Sequence, residues 1–136
     1  MKDNPVHART CVYNVHYHVV WSVKYRRKVL TSIVEEMFKQ LVTDIGADKD
    51  FIIEKVEVGE MDHVHVLISA HPRQSISYMV KMLIGISGRK LFESFPEIRQ
   101  KLWKGQLWNH SYYVETVGSI RQDVIEQYIE NQQQKN

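Results

Sequence analysis

The chain has a single cysteine, Cys11, so no internal disulfide can form, and a reducing compartment suits it. As a small residue in a strand pattern it is assigned no chemistry. Also lacking is any run of the roughly 18 apolar residues that a membrane span requires. The opening "MKDNPVHART" has no apolar signal-peptide core. A cytoplasmic protein with no membrane partner is therefore expected. The glycines do not form a Walker A loop, because "GISGRK" has the wrong spacing, so no nucleotide cofactor is expected. Charge of one sign is scarce too: 18 Lys and Arg stand against 16 Asp and Glu, a net +2. That balance is too mild to argue for nucleic acid by itself, and the distribution of charge has to decide.

What is present is ordinary globular composition, 43% hydrophobic and 25% charged, which over 136 residues fits one domain covering 1–136. There is no internal repeat or linker, and only the tail "NQQQKN" is expected to fray. "CVYNVHYHVVWSV" (11–23), rich in Val, Tyr and Trp, reads as a first strand. From Leu30 the positions Ile33, Val34, Met37, Phe38, Leu41, Val42 and Ile45 trace one helical face, and Ser32 with Glu35 has the form of a capping box. "FIIEKVEVG" and "HVHVLISA" read as two strands joined by "EMD" into a hairpin. Residues 75 to about 94 read as a second helix, weakened by Gly85 and Gly88. "QLWNHSYYVETVG" reads as a fourth strand ending at Gly118, and Ser119 with Gln122 caps a last helix to about Gln134. This order gives an α+β, ferredoxin-like antiparallel sheet with helices on one face and an extra C-terminal helix, and it leaves the other face of the sheet free.

Charge and histidine are both unevenly placed. In "WSVKYRRKVL" Lys24, Arg26, Arg27 and Lys28 surround Tyr25, and further on stand Arg89, Lys90, Arg99, Lys101 and Lys104. These are either solvated loop ends or a phosphate-binding surface with aromatic rings available for base stacking. In "GEMDHVHVLIS" side chains alternate, so His63 and His65 point the same way, about 7 Å apart at their backbones. Two imidazoles at that spacing can converge on a divalent ion, although a solvent-facing pair reads the same. Glu60 and Asp62 supply negative charge able to orient the rings. His16 and His18 form a second His-x-His, and neighbouring strands would gather four histidines on the free face. The acidic neighbours favour His63 and His65 for the metal, and leave His16 and His18 to contact DNA or to hydrogen-bond within the sheet. In the last helix Tyr128 and Gln132, four apart, share a face, about 6 Å along the axis. Tyr128 also lies among Ile120, Val124, Ile125 and Ile129, which suits a core tyrosine equally well.

Four ordered blocks, "YHVVWSVKYRRKVL", "DHVHVLIS", "WNHSYYVETVG" and "YIENQ", resemble the single-tyrosine HUH transposases of bacterial and archaeal insertion sequences, which move as single-stranded DNA. The resemblance covers nearly the whole chain. It implies that His63 and His65 are the HUH metal ligands, that Tyr128 is the nucleophile and that Gln132 is the third ligand. It implies a divalent metal, Mg²⁺ or Mn²⁺, and a 5′-phosphotyrosine intermediate. It also implies DNA hairpins at the element ends as partners, and a homodimer whose active sites are shared between subunits. Hairpin recognition fits cations interleaved with Tyr25, Trp103 and Trp108. Two other readings compete. A non-catalytic single-strand-binding module of the RNA-recognition type would carry aromatic residues where this strand has "HVHVLIS". An HUH nickase without strand transfer would share every residue named above.

Overall fold

The computed structural model describes residues 6–7, 12–13, 15–102 and 105–117. A short antiparallel pair, β1 (Val6–His7) and β2 (Val12–Tyr13), precedes the first long strand, β3 (His16–Ser22). The expected strand over 11–23 is thus divided, and its long part starts only at His16. There follow α1 (Ser32–Lys49), β4 (Ile52–Gly59), β5 (His63–Ser69), α2 (Ile76–Ser94), a short α3 (Pro96–Gln100) that was not expected, and β6 (Tyr113–Val117). The expected helix over 119–134 lies outside the described residues.

The four long strands form one sheet in the order β4-β5-β3-β6, with every neighbouring pair antiparallel. Each helix α1 and α2 therefore links two parallel strands that are not neighbours, which is the ferredoxin-like arrangement. α1 packs on α2 and on β4. Between helices and sheet lies the core, where Val19, Trp21, Val64, Val66 and Ile68 from the strands meet Phe38, Val42, Met79 and Leu83 from the helices.

The opposite face of the sheet is not free at its centre. His16, His18, His65, Leu67 and Ser69 are all buried there, and Leu67 packs with Val117. The run Val66, Leu67, Ile68 carries the reason, since consecutive apolar residues place hydrophobic area on both faces of a strand and ask for cover on each.

α1 starts from Thr31 as N-cap, without a side-chain cap hydrogen bond, so Ser32 and Glu35 do not form the expected capping box. Val34, Phe38, Val42 and Ile45 are buried as the period requires, whereas Ile33 is exposed. At the C-terminal end Gly46 lets the chain double back: a Cβ there would sit 2.7 Å from the Phe51 carbonyl oxygen. In α2 Ser75 caps the first turn by accepting from the Tyr78 N–H. Gly88, expected to weaken this helix, instead admits a ring, since a Cβ there would come within 3.2 Å of Trp108 Cδ1. Trp108 is consequently a core residue. It is 3% exposed, packs edge-on against Trp21 and Phe38, and donates from Nε1 to Ser87 Oγ. Base stacking by Trp108 is thereby excluded, and Trp103 lies outside the described residues.

Candidate active site

β5 places His63 and His65 on one face, with ring centroids 5.2 Å apart. Both line a cleft of about 610 Å³ together with Ser22, Arg26, Glu60 and Tyr113. The hairpin turn before β5 sets the entrance. Asp62 N–H donates to the Gly59 carbonyl at 3.1 Å, and the central residues Glu60 and Met61 take φ of 51° and 63°. Two left-handed central residues between Gly59 and Asp62 make a type I′ turn, and with Asp62 they form the three-residue connection to His63. Glycine and asparagine usually occupy such positions, so the turn carries backbone strain at both residues. Its carbonyls hold the segment after β3 in place, because Val23 N–H donates to Asp62 O and Leu30 N–H to Met61 O.

Asp62 is the centre of this corner. Its Oδ1 accepts from His63 Nδ1 at 2.9 Å and from Arg26 Nη2 at 3.2 Å, and its Oδ2 accepts from Lys28 Nζ at 3.3 Å. Burial pushes the Asp62 carboxyl up, but the hydrogen bonds from His63, Arg26 and Lys28 together outweigh it and hold the group below its ordinary value. An ionised Asp62 fixes the His63 ring as an orienting carboxylate does. Glu60, given the same role from sequence, meets this corner through its carbonyl oxygen, which accepts from Lys28 Nζ.

His65 turns the other way. Its Nδ1 lies 3.1 Å from His18 Nε2, and the two rings stack at 5.4 Å. Desolvation lowers the His65 pKa to about 4, with added repulsion from His18 and His63. Burial likewise lowers that of His18, against the pull of Glu115. Both rings are neutral near pH 7 and keep the lone pairs that metal coordination needs. Three of the four histidines therefore gather, not four. His16 faces Ser69, six residues along β5 from His63, or roughly 20 Å at strand rise. There it is 1% exposed and pairs with Glu54 Oε1 at 2.6 Å. Neither His16 nor His18 is a surface residue, so of the two roles expected for them hydrogen bonding within the sheet holds and DNA contact does not.

Among the described residues no three His, Cys, Asp or Glu side chains are placed to hold an ion together. His63 and His65 fit as two nitrogen donors at one open cleft, while Tyr128 and Gln132 lie outside the described residues. The expected DNA-binding cations separate into two groups. Arg26 and Lys28 converge on Asp62 beside the cleft, and Tyr25 next to them is 55% exposed, with Lys24 Nζ 5.6 Å from its ring centre. Arg27 is exposed on the same turn. Arg89 instead lines a separate cavity of about 430 Å³ with Phe92, Arg99 and Trp108, which shares no residue with the histidine cleft, and Lys90 is exposed on α2. Sequence reasoning missed Tyr113 and Glu115. Register was the available signal: Val20 lies opposite His65 on one side and Tyr113 on the other, and His18 lies opposite Glu115.

A family model described as "Transposase IS200 like" matches residues 11–132. The chain belongs to this family. It is 42% identical over 128 residues to the ISDra2 transposase TnpA of Deinococcus radiodurans, covering 94% of this chain and 91% of that one. To the transposase for insertion sequence element IS200 of Salmonella typhimurium it is 30% identical over 120 residues, 88% and 78% of the two chains. A crystal structure from Deinococcus radiodurans R1 superposes with a TM-score of 0.77 at 40% identity, covering 93% and 97%. The REP-associated tyrosine transposase bound to a REP hairpin shares the fold, with a TM-score of 0.59 at 12% identity over 93% of this chain and 69% of that one. Among the described residues of this IS200-like transposase no helix is long and apolar enough to cross a membrane.

Proposed function

We propose that this IS200-like transposase cleaves and rejoins single-stranded DNA at hairpin-bearing insertion-sequence ends through a 5′-phosphotyrosine at Tyr128, using Mg²⁺ or Mn²⁺ held by His63, His65 and Gln132. The observation that carries the reading is the pair of imidazoles, His63 and His65, with ring centroids 5.2 Å apart at an open cleft beside Arg26 and Lys28. A divalent ion bound there offsets several kcal/mol of the negative charge that develops on the non-bridging phosphate oxygens. Tyr128 supplies the nucleophile. Its hydroxyl, with a free pKa of about 10, loses its proton and attacks phosphorus as the bond to the departing 3′-oxygen breaks, leaving a 3′-hydroxyl. The new ester conserves the bond energy, so a 3′-hydroxyl from another strand reverses the step and joins a different end. Asp62 holds His63 in orientation, and the cations around Tyr25 grip the phosphates. Two subunits sharing their sites provide two nucleophiles, which excision of both ends requires. A single domain over 1–136 and a cytoplasmic location belong to the same reading.

The test is to incubate the protein with a labelled hairpin-containing single strand from its own genomic flanks and Mn²⁺. A denaturant-resistant protein–DNA adduct and a joined product are expected. Tyr128→Phe should keep the fold and hairpin binding and lose the adduct, and undiminished adduct in that variant would refute the assignment. An adduct without joined product identifies a nickase. Mixing Tyr128→Phe with His63→Ala, each inactive alone, should restore cleavage if sites are shared, and continued inactivity after confirmed subunit exchange shows that each subunit builds its own.

A further inference from the structure

Each of the two candidate ligands has its Nδ1 engaged by a different kind of partner, and the second partner has no assigned role. His63 Nδ1 meets the carboxylate of Asp62 at 2.9 Å. His65 Nδ1 meets another imidazole, His18 Nε2, at 3.1 Å. Only one proton fits between two ring nitrogens, so the pair has two possible arrangements, and what stands behind His18 chooses between them. On that side His18 Nδ1 lies 3.6 Å from Glu115 Oε1, and His18 and Glu115 are direct cross-strand neighbours on β3 and β6. At 3.6 Å the contact is an ion pair and not a full hydrogen bond, and the negative charge of Glu115 beside Nδ1 favours the His18 proton on that nitrogen, leaving Nε2 as an acceptor. The shared proton then belongs to His65 Nδ1, and His65 Nε2 becomes its lone-pair nitrogen. Glu115 is itself held by the Tyr113 hydroxyl, which donates to Oε2 at 3.0 Å.

We infer that His18, backed by Glu115, is a positioning residue that fixes the tautomer and ring orientation of His65 so that Nε2 faces the ion, the role Asp62 plays for His63. This inference rests on the metal reading of the cleft above. It assigns His18 to the site without making it a ligand, and it explains why His18 alone of the second His-x-His is buried beside His65: with that one histidine between them, a carboxylate on β6 can set a ring on β5 across the whole width of β3.

Three measurements on the full chain test it, with Mn²⁺ alone as the probe and His18→Phe as the main variant, because phenylalanine fills the buried space without an acceptor. A far-UV spectrum and melting curve first show that the variant is folded. Long-range ¹H–¹⁵N spectra of the metal-free protein should then show His65 protonated on Nδ1 in the wild type and shifted toward the Nε2-protonated form in His18→Phe. Mn²⁺ affinity should fall about 10- to 100-fold, the range found when outer-shell partners of ligands are removed. His18→Gln, whose amide both accepts and donates, should recover most of that loss, and Glu115→Gln should show a smaller one. If Mn²⁺ binding is indifferent to His63→Ala and His65→Ala, or absent from the wild type, the metal reading falls and this inference with it. If binding depends on His63 but His18→Phe changes neither affinity nor the His65 tautomer, the inference alone is overturned. Should His18→Phe fail to fold, the His65 tautomer in Glu115→Gln and His18→Gln decides the same question.

Discussion

The two ends of one sheet face carry the same residue pattern and differ in everything that decides chemistry. At one end His16 is 1% exposed and bonded to the Glu54 carboxylate at 2.6 Å. At the other, His63 and His65 stand at a cleft of about 610 Å³, one tied to Asp62 and the other to His18. His-x-His on a strand therefore states only which face the rings share. The antiparallel register of β3 and β5 decides the rest, by carrying His16 to the far end of the sheet while leaving His18 next to His65. A histidine shut away from the cleft and paired with a carboxylate, as His16 is with Glu54, is a structural ion pair or hydrogen bond. One that lines an open cleft beside a second imidazole is a ligand candidate.

The largest expected effect breaks that comparison directly. On the metal reading proposed above, His63→Ala or His65→Ala should lower cleavage by about a hundredfold or more, because losing an ion there would forfeit several kcal/mol of transition-state stabilisation. His16→Ala should stay within a few-fold of wild type in single-turnover cleavage at a temperature where the variant is folded. Equal losses at both ends of the sheet would show that the distinction drawn from geometry has no functional content.

Much of this contrast was legible in advance. The order of elements followed from periodicity, and the shared face of His63 and His65 from alternation alone, because both are local properties of the chain. Register was not local: nothing in "VHYHVVWSV" says which of its histidines meets His65, and only the pairing of Trp21 with Val64 settles it. Trp108 misled for a related reason. Apart from Leu107 its near neighbours in sequence are polar, Gln106, Asn109 and His110, yet Gly88 on a distant helix opens the space that buries it. The second face of the sheet was misjudged although Leu67 and Ile68, side by side, already signalled burial on both sides.

Stability should reverse the ranking of the two ends. His16→Ala removes the buried partner of a part-buried, charge-assisted hydrogen bond and leaves Glu54 to lose its contact, for which a loss of about 2 kcal/mol is expected in denaturant unfolding. His63→Ala, at the cleft edge, should cost less. An unchanged unfolding midpoint for His16→Ala would mean that the Glu54 pair contributes nothing net.

A smaller effect comes from pH. His65 faces His18, His63 and, across the β4 register, Glu57. Its pKa is lowered from 6.5 to about 4, first by desolvation. The unfolded chain thus takes up a proton near pH 6.5 that the folded chain refuses until about pH 4. Stability of the metal-free protein is therefore full above that upper value and declines through the window, by on the order of 1 kcal/mol between pH 6 and pH 5. His65→Phe should flatten this limb, and an equally steep limb in that variant would assign it to other groups.

The smallest expected effect separates grip from chemistry within the open end itself. Arg26 and Arg27 are adjacent and exposed, but Arg26 Nη2 donates to Asp62, which in turn holds His63, whereas Arg27 has no such link to the histidines among the described contacts. Each contact with a phosphate releases counterions, so removing one should lower the slope of log affinity against log salt by about 1. For Arg27→Ala that should be the whole effect: a few-fold weaker hairpin binding at moderate salt, with the cleavage rate of the bound complex unchanged. Arg26→Ala should show a similar change in slope and, in addition, a slower cleavage step at saturating DNA, because Asp62 loses one of the donors that keep it ionised and aligned under His63. If the two variants slow cleavage equally at saturation, the path from the cationic turn through Asp62 carries no influence on the site. If neither changes the salt slope, the cations around Tyr25 are solvated loop ends, and the DNA must be gripped elsewhere, with the Arg89 cavity the next surface to test.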